Sequence, residues 1–398
     1  MSFRISTAGL HNGAITQMLA RQADLAKTQA QVASGKRVMS PADDPVAATQ
    51  IMAQSQTRSQ LGQYSKNADA ATNRLNTYEQ AFADASNLLQ RVRELAVQAN
   101  SGALDSSSRS SINTELRSRV QELQDLANRR DANGEYLFAG LSTQTQPFAR
   151  GNAGVSYLGD AGLRAVQIAS DQRVIDGFSG RQTFMDIPEG NGTFSVTQGV
   201  HTGASSIDTG QVTNAAAWVP GTYTITFTSP TTWDVTDALN NSVASGTYTS
   251  GSAISFLGIQ VTVTDTPATS DTYVIAPATS EDMFTTLDKL IVAVGASTAD
   301  PVARSTGSTG IGAALTQLDQ ALSVIVNQRA EVGARLNLID DTTAARQQLD
   351  DSLTASIGKL QDLDYAAAVS QMNQQMVGLQ AAQQAYSRIS QLTLFNYL

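Results

Sequence analysis

The chain has 398 residues, a formal net charge of −9, no cysteine and two histidines. That composition excludes disulfides, cysteine-ligated metal centres and a cysteine nucleophile, and it leaves little room for histidine chemistry. An acidic balance argues against a nucleic-acid binder. The acid is also concentrated: residues 182–288 hold ten Asp or Glu and no Lys or Arg, leaving 26 basic against 25 acidic residues elsewhere.

The first 140 residues read as helix. Met18, Leu25, Val32 and Met39 recur every seven residues, with Ile15 one turn before, a stripe narrow enough for pairing with another helix. The stripe breaks at Ser40-Pro41-Ala42-Asp43-Asp44-Pro45, where Asp44 is a good N-cap and Pro45 a good first helical residue. A helix over 45–100 follows, roughly 80 Å long at the α-helical rise, carrying Leu75, Tyr78, Phe82, Leu88, Leu89, Val92 and Leu95. A turn over 102–108 leads to a third helix, 111–130, ended by Asn133-Gly134.

Residues 141–183 read as a transition zone with hairpins around Val155, Tyr157, Val166 and Ile168. Beyond it the period becomes two. Tyr223, Ile225 and Phe227 alternate with threonines, and Ile259, Val261 and Val263 with Gln260, Thr262 and Thr264. Trp233 and Val235, Ile254 and Phe256, and Tyr273 and Ile275 add further strands. Helix returns over 281–294, then after a Ser/Thr/Gly-rich link over 310–356, and last over 360–395. That final helix carries Val369, Met372, Met376, Leu379, Tyr386, Ile389 and Leu392 at three- and four-residue steps.

The fold class expected is therefore α+β and multidomain: a long antiparallel helical rod formed by the N- and C-terminal arms, with a small antiparallel β domain inserted. The expected domains are a terminal-helix core of 1–44 plus 357–398, a helical rod domain of 45–150 plus 281–356, transition hairpins at 151–183 and an outer β domain at 184–280.

No catalytic, metal or cofactor-binding constellation emerges, so no enzyme and no cofactor is expected. His11 and His201 lack partners in the sequence and read as surface residues. Asp43-Asp44 reads as a cap rather than a carboxylate pair. Asp340-Asp341 and Asp350-Asp351, near Arg335 and Arg346, read as a solvated, ion-paired face. Neither a basic-then-apolar leader nor an apolar run of membrane-spanning length is present, so no membrane partner is expected, and composition alone suggests a cytoplasmic protein. The terminal stripes lack the flanking charges of a discrete two-chain coiled coil, and they read as contacts between subunits.

The run Ala33-Ser34-Gly35-Lys36-Arg37-Val38-Met39-Ser40-Pro41-Ala42-Asp43-Asp44-Pro45 resembles the N-terminal signature of the flagellin superfamily, as does the run from Leu89 to Asn100. Phe3-Arg4-Ile5-Ser6-Thr7, Pro45, Asn133-Gly134-Glu135-Tyr136-Leu137-Phe138-Ala139-Gly140 and the tail Leu392–Leu398 are similar to its hook-associated branch.

The resemblance covers about 1–150 and 281–398. It implies ends that are disordered in the monomer and fold into nested coiled coils on assembly. It implies export through the flagellar type III apparatus without a cleaved signal, which overrides the cytoplasmic reading. The implied partners are copies of the chain, neighbouring hook-associated proteins, flagellin indirectly, and an export chaperone at the C-terminal helix.

The expected assembly residues are Met18, Leu25, Val32, Met39, Val369, Met372, Met376, Leu379, Tyr386, Ile389 and Leu392. Asp43, Asp44 and Pro45 form the cap motif. Leu89, Val92, Leu95, Tyr136 and Phe138 form the rod core. The alternatives are a flagellin, or a surface adhesin or enzyme active through the β domain; on that last view residues 184–280 alone would carry a glycan-binding or hydrolytic activity.

Overall fold

A computed structural model describes residues 7–101, 104–152 and 154–391. Six helices account for the two arms: α1 (Thr7–Ser34), α2 (Pro45–Ala99), α3 (Ser106–Ala127), α4 (Met283–Val294), α5 (Pro301–Gln361) and α6 (Tyr365–Gln391). By its contacts the chain divides into two compact units, residues 1–66 with 341–398, and residues 67–340.

Helix boundaries differ from the sequence reading at several points; α5 runs on to Gln361, and α6 begins only at Tyr365. α1 stops at Ser34 because Gly35 takes φ +70°, so Met39 leaves the helix and sits in the following turn. α5 starts at Pro301 rather than after the link: Val302 N–H bonds to Asp300 Oδ1 at 3.1 Å, and Pro301 needs no N–H of its own. α3 begins at Ser106, where Asp105 caps the Ser108 N–H at 2.8 Å.

In the larger unit, α2 and α5 run antiparallel, as ion pairs of steady register record: Arg329 with Glu79 at 2.6 Å and Arg93 with Asp319 at 2.8 Å. Leu89, Val92 and Leu95 are buried with Ile112, Leu116, Leu287, Leu290 and Leu318 in one core. Tyr136 and Phe138 are buried as well. Phe138 meets Phe184 edge to face at 5.0 Å, and Phe82 meets Phe178 the same way at 5.1 Å. This aromatic cluster holds the Asn133–Gly140 segment. Tyr78 O–H donates to the Leu137 carbonyl, and Arg74, 7% exposed, reaches Asp131 and Glu135 at 3.0 Å each. Asp131 Oδ1 in turn accepts from Asn133 N–H and Glu135 N–H, closing the Asn-Gly turn.

Two hairpins follow, β1 (Phe148–Gly151) with β2 (Gly154–Tyr157) and β3 (Ala165–Gln167) with β4 (Arg173–Ile175). After a π turn at Arg181–Met185 come β5 (Ile187–Pro188), β6 (Phe194–Gln198), β7 (Ser206–Ile207), β8 (Gln211–Val212), β9 (Tyr223–Ser229), β10 (Thr232–Thr236) and β11 (Ser242–Thr247). The last strands are β12 (Ala253–Phe256), β13 (Ile259–Thr264), β14 (Thr272–Pro277) and β15 (Ser280–Glu281), which pairs with β5.

One sheet has the order β11-β10-β9-β14-β6; a second has β12-β13-β7, with β8 also on β13. Ile225, Phe227, Val235, Ile259, Val261, Val263, Tyr273 and Ile275 fill a core of their own. β6, β11 and the two-residue strands β5, β7, β8 and β15 are not among the strands read from sequence. β11 is mostly exposed and shows no apolar alternation, and Phe194 with Val196 makes too short a run to stand out.

The β domain is fastened to one face of α5. Ile207 N–H donates to Thr309 Oγ1 at 3.3 Å, Thr209 and Thr316 hydroxyls meet at 2.9 Å, and Gln317 spans Gly190 N–H and the Pro188 carbonyl at 3.0 Å each. His201 joins this face. Its side chain is 4% exposed, its Nε2 lies 2.9 Å from Ser305 Oγ, and its Nδ1 lies 3.6 Å from Asp271 Oδ2. The surface reading of His201 is thus corrected: Asp271, tied to Thr202, Gly203 and Ala268 N–H groups, and Ser305 arrive from distant parts of the chain.

Burial holds the His201 imidazole below its ordinary pKa, the Asp271 charge opposing. An unfolded chain therefore takes up this proton near pH 6.5 while the folded domain resists it. The contribution is complete above about pH 6.5 and fades as pH falls below it. The β-domain melting temperature is expected to be lower at pH 5.5 than at pH 7.5 by scanning calorimetry, and His201→Gln to flatten the difference. An unchanged slope in the variant would assign the effect elsewhere.

Candidate assembly surface

Unit residues 1–66 and 341–398 contain little internal core. Val38, Ala47 and Ala48, with Ile51 against them, form a small cluster. α1 and α6 pack side by side and antiparallel: Arg37 N–H bonds the Gln361 carbonyl at 2.7 Å, Leu363 N–H bonds the Gly35 carbonyl at 3.0 Å, and the rings of His11 and Tyr386 lie 5.5 Å apart. His11 is thereby half-buried, not a free surface histidine.

The pair buries its own large apolar residues only in part. Met18, Leu25 and Val32 on α1, and Met372, Met376, Leu379 and Tyr386 on α6, are half-buried. Val369 is exposed, and so are Ile15, Leu19, Tyr365 and Val377, with Leu19 at 60% and Val377 at 65%. Met39 is exposed in its turn. It shares no helix with the other stripe residues, because the chain reverses at Gly35. The side chain of Ile389 and the whole of Leu392 lie outside the described residues, as do Phe3 to Ser6 and the tail from Leu392. Two helices meeting along one seam each leave most of their circumference to solvent, and apolar residues there await cover.

The Ala33–Pro45 motif is a clamp on this pair. Gly35 takes φ +70°, a conformation that favours glycine, and a Cβ there would also press on the Tyr365 hydroxyl, which the exposed ring can move to relieve. Arg37 reaches the Leu360 carbonyl at 2.8 Å and Asp44 at 3.2 Å. Asp44 caps α2 through Ala47 N–H at 3.0 Å, and that bond, with Arg37 second, lowers its carboxyl pKa. Asp43 is not the cap. It pairs with Lys27 at 2.8 Å and accepts from Ser40 N–H at 2.9 Å and Met39 N–H at 3.1 Å; these contacts, Lys27 foremost, hold its carboxyl well below the usual range. Arg58 grips Asp350 with two bonds, at 2.8 and 3.2 Å. Asp350's partner thus comes from the other arm rather than from its own helix face. Lys27 and Arg37 had no periodic signal to mark them; the Ser34-Gly35 step, a helix-ending glycine, was the one local hint.

The β domain offers a contrasting site. Ser305, His201 and Asp271 contain the groups of a nucleophilic triad. Yet Ser305 Oγ, on the first turn of α5, is buried and bonds the Val302 carbonyl at 2.9 Å, and the Asp271–His201 separation of 3.6 Å is longer than a hydrogen bond. The geometry is that of a strap between β domain and helix. Among the described residues no cluster of His, Asp and Glu could hold a metal ion, and no helix is long and apolar enough to cross a membrane.

Residues 5–143 match the family model described as the bacterial flagellin N-terminal helical region, and residues 315–398 match the C-terminal helical region. The chain is 24% identical over 393 residues to flagellar hook-associated protein 3 of Escherichia coli strain K12, covering 98% of each. It is 30% identical to FlgL of Xanthomonas campestris, with a TM-score of 0.73 over 77% of this chain and 99% of that one. It is also 30% identical to the flagellar junction protein FlgL of Legionella pneumophila, with a TM-score of 0.72 over 78% and 99%. Flagellins match more weakly.

Helical arms from both chain ends, an inserted β domain and under-covered terminal helices define a protein of the flagellin superfamily. Within it, the chain belongs to the flagellar hook-associated protein 3 family.

Proposed function

We infer that the chain is a structural adaptor of the bacterial flagellum, joining hook to filament by packing of its terminal helices. The observation that carries this reading is the α1–α6 pair, whose stripe residues remain half-exposed beside the exposed Leu19 and Val377. Met18, Leu25, Val32, Met372, Met376 and Leu379 form the inner contacts with neighbouring copies and with other hook-associated proteins, flagellin following indirectly. Residues 1–44 with 357–398 act as the assembly core, 45–150 with 281–356 as the rod, 151–183 as the transition and 184–280 as the outward β domain.

The chain reaches the extracellular flagellum without a cleaved signal peptide, and an export chaperone covers the α6 stripe beforehand. This role needs no enzymatic activity, and the buried Ser305 makes the β-domain strap a poor nucleophile.

A junction protein caps growth of its own kind, whereas a flagellin extends it. Purified chain mixed with sheared filament seeds is expected to stay in the supernatant on sedimentation, while flagellin in the same assay pellets as new filament. Seeded growth of this chain alone would return the reading to a filament subunit.

A further inference from the structure

The five-stranded sheet ends at β6, which has a neighbour, β14, on one side only. Gly199 N–H bonds the Thr272 carbonyl at 2.9 Å and Ala278 N–H bonds the Thr193 carbonyl at 3.0 Å, so the odd-numbered residues of β6 carry the bonds to β14. Bonded and non-bonded pairs alternate along an antiparallel ladder. The N–H and C=O groups of Val196 and Gln198 therefore point away from β14. No loop or side-chain bond to them occurs among the described residues.

They border a groove of about 740 Å³ lined by Val196, Thr197 and Gln198 on one side and by α4 and α5 on the other. Gln198 Nε2 is also buried without a partner among the described residues. The helical wall is low: Gly307 and Gly310 let α5 lie against Ala293, where an added Cβ would come within 3.0 and 2.9 Å. Val292 on that wall is 75% exposed.

We propose that this groove is a strand-addition site, taking an extended peptide segment of another chain that pairs antiparallel with β6 and carries a cation at its carboxyl end. An unpaired edge supplies main-chain bonds of any sequence, so charge selects the occupant. Asp288 is paired with Arg150 at 3.0 Å and Glu281 with Lys289 at 2.6 Å. Glu189, before β6, accepts from the Thr279 hydroxyl at 2.7 Å and meets no cation among the described residues. Antiparallel addition brings the carboxyl end of the incoming strand to Glu189. Pairing with the β domain of a second copy is disfavoured, because residues 182–288 bring ten acidic and no basic side chains to meet themselves.

The probe is a fluorescein-labelled heptapeptide of alternating threonine and valine with a carboxyl-terminal lysine amide, titrated against the full chain by fluorescence anisotropy. Saturable binding is expected. It should weaken at least tenfold when alternate peptide nitrogens are methylated, which removes the donors facing β6 and leaves the protein untouched. Gln198→Pro should cause a similar loss, since that N–H faces the groove and proline is tolerated on an edge. Glu189→Lys should weaken the lysine peptide and strengthen its glutamate counterpart. Absence of binding, or binding indifferent to N-methylation, overturns the strand-addition site; indifference to Glu189→Lys overturns the charge selection.

Discussion

Removal of residues 360–398 is expected to abolish filament attachment while leaving the larger unit folded. The truncation deletes α6 and with it the helix against which α1 lies, including the Leu363–Gly35 bond and the His11–Tyr386 contact. Residues 67–340 keep both of their hydrophobic cores, since neither includes a residue beyond Ile339. Thermal unfolding by circular dichroism should therefore retain a cooperative transition. Cells whose only copy is the truncated chain should shed flagellin into the medium and show hooks without filaments by electron microscopy. The same truncation should lose the export chaperone in a pull-down. Normal filaments on truncated protein would remove the terminal helices from the junction; chaperone capture by truncated chain would move that contact to another segment.

Arg74→Ala is expected to cost the larger unit about 3–5 kcal/mol of stability. Arg74 is 7% exposed and Asp131 9%, so truncation strands one carboxylate out of water and a second, Glu135, at its edge. The loss is compounded because Asp131 also organises the Asn133–Glu135 turn that delivers Tyr136 and Phe138 to the aromatic cluster. Arg74→Lys should recover only part of it, an ammonium being a single point where the guanidinium bridges two acceptors. Urea unfolding of the three proteins measures the series. A loss under about 1 kcal/mol for the alanine variant, the range of an exposed pair, would show that the site rehydrates.

The near-neutral arms and the acid-rich middle separate into different jobs. Arm charges are largely spent across helices, in Arg58–Asp350, Glu79–Arg329 and Arg93–Asp319, which set register. The β domain has no basic residue to answer its acids between 182 and 288, and it uses carboxylates as backbone acceptors instead. Asp271 binds three N–H groups and Asp237 organises the turn to Asn241.

The helices of both arms and five strands of the β domain, β9, β10, β12, β13 and β14, were legible in the sequence because their signal is local. A three- or four-residue step along α6, or the alternation from Tyr223 to Phe227, follows from backbone geometry and the need to cover one face. Leu89, Val92 and Leu95, buried together in one core, follow such a step, and the Ala33–Pro45 motif and Asn133–Gly140 are recognisable by resemblance. One misreading fell where a local pattern continued past its element. Met39 keeps the seven-residue beat of Met18, Leu25 and Val32, yet Gly35 has already turned the chain.

What the sequence determined alone was the type and order of the main segments and the family they compose. Only the tertiary structure decided that His201 is a buried strap to Ser305, that Arg37 and Gly35 tie the end of α1 to the end of α5 and the turn before α6, that Asp350 belongs to Arg58, and that β6 keeps one edge free. Each of these joins residues tens to hundreds of positions apart or depends on a strand lacking a neighbour. Periodicity reports which face of an element is apolar; it carries no record of what arrives to cover that face, or of where nothing does.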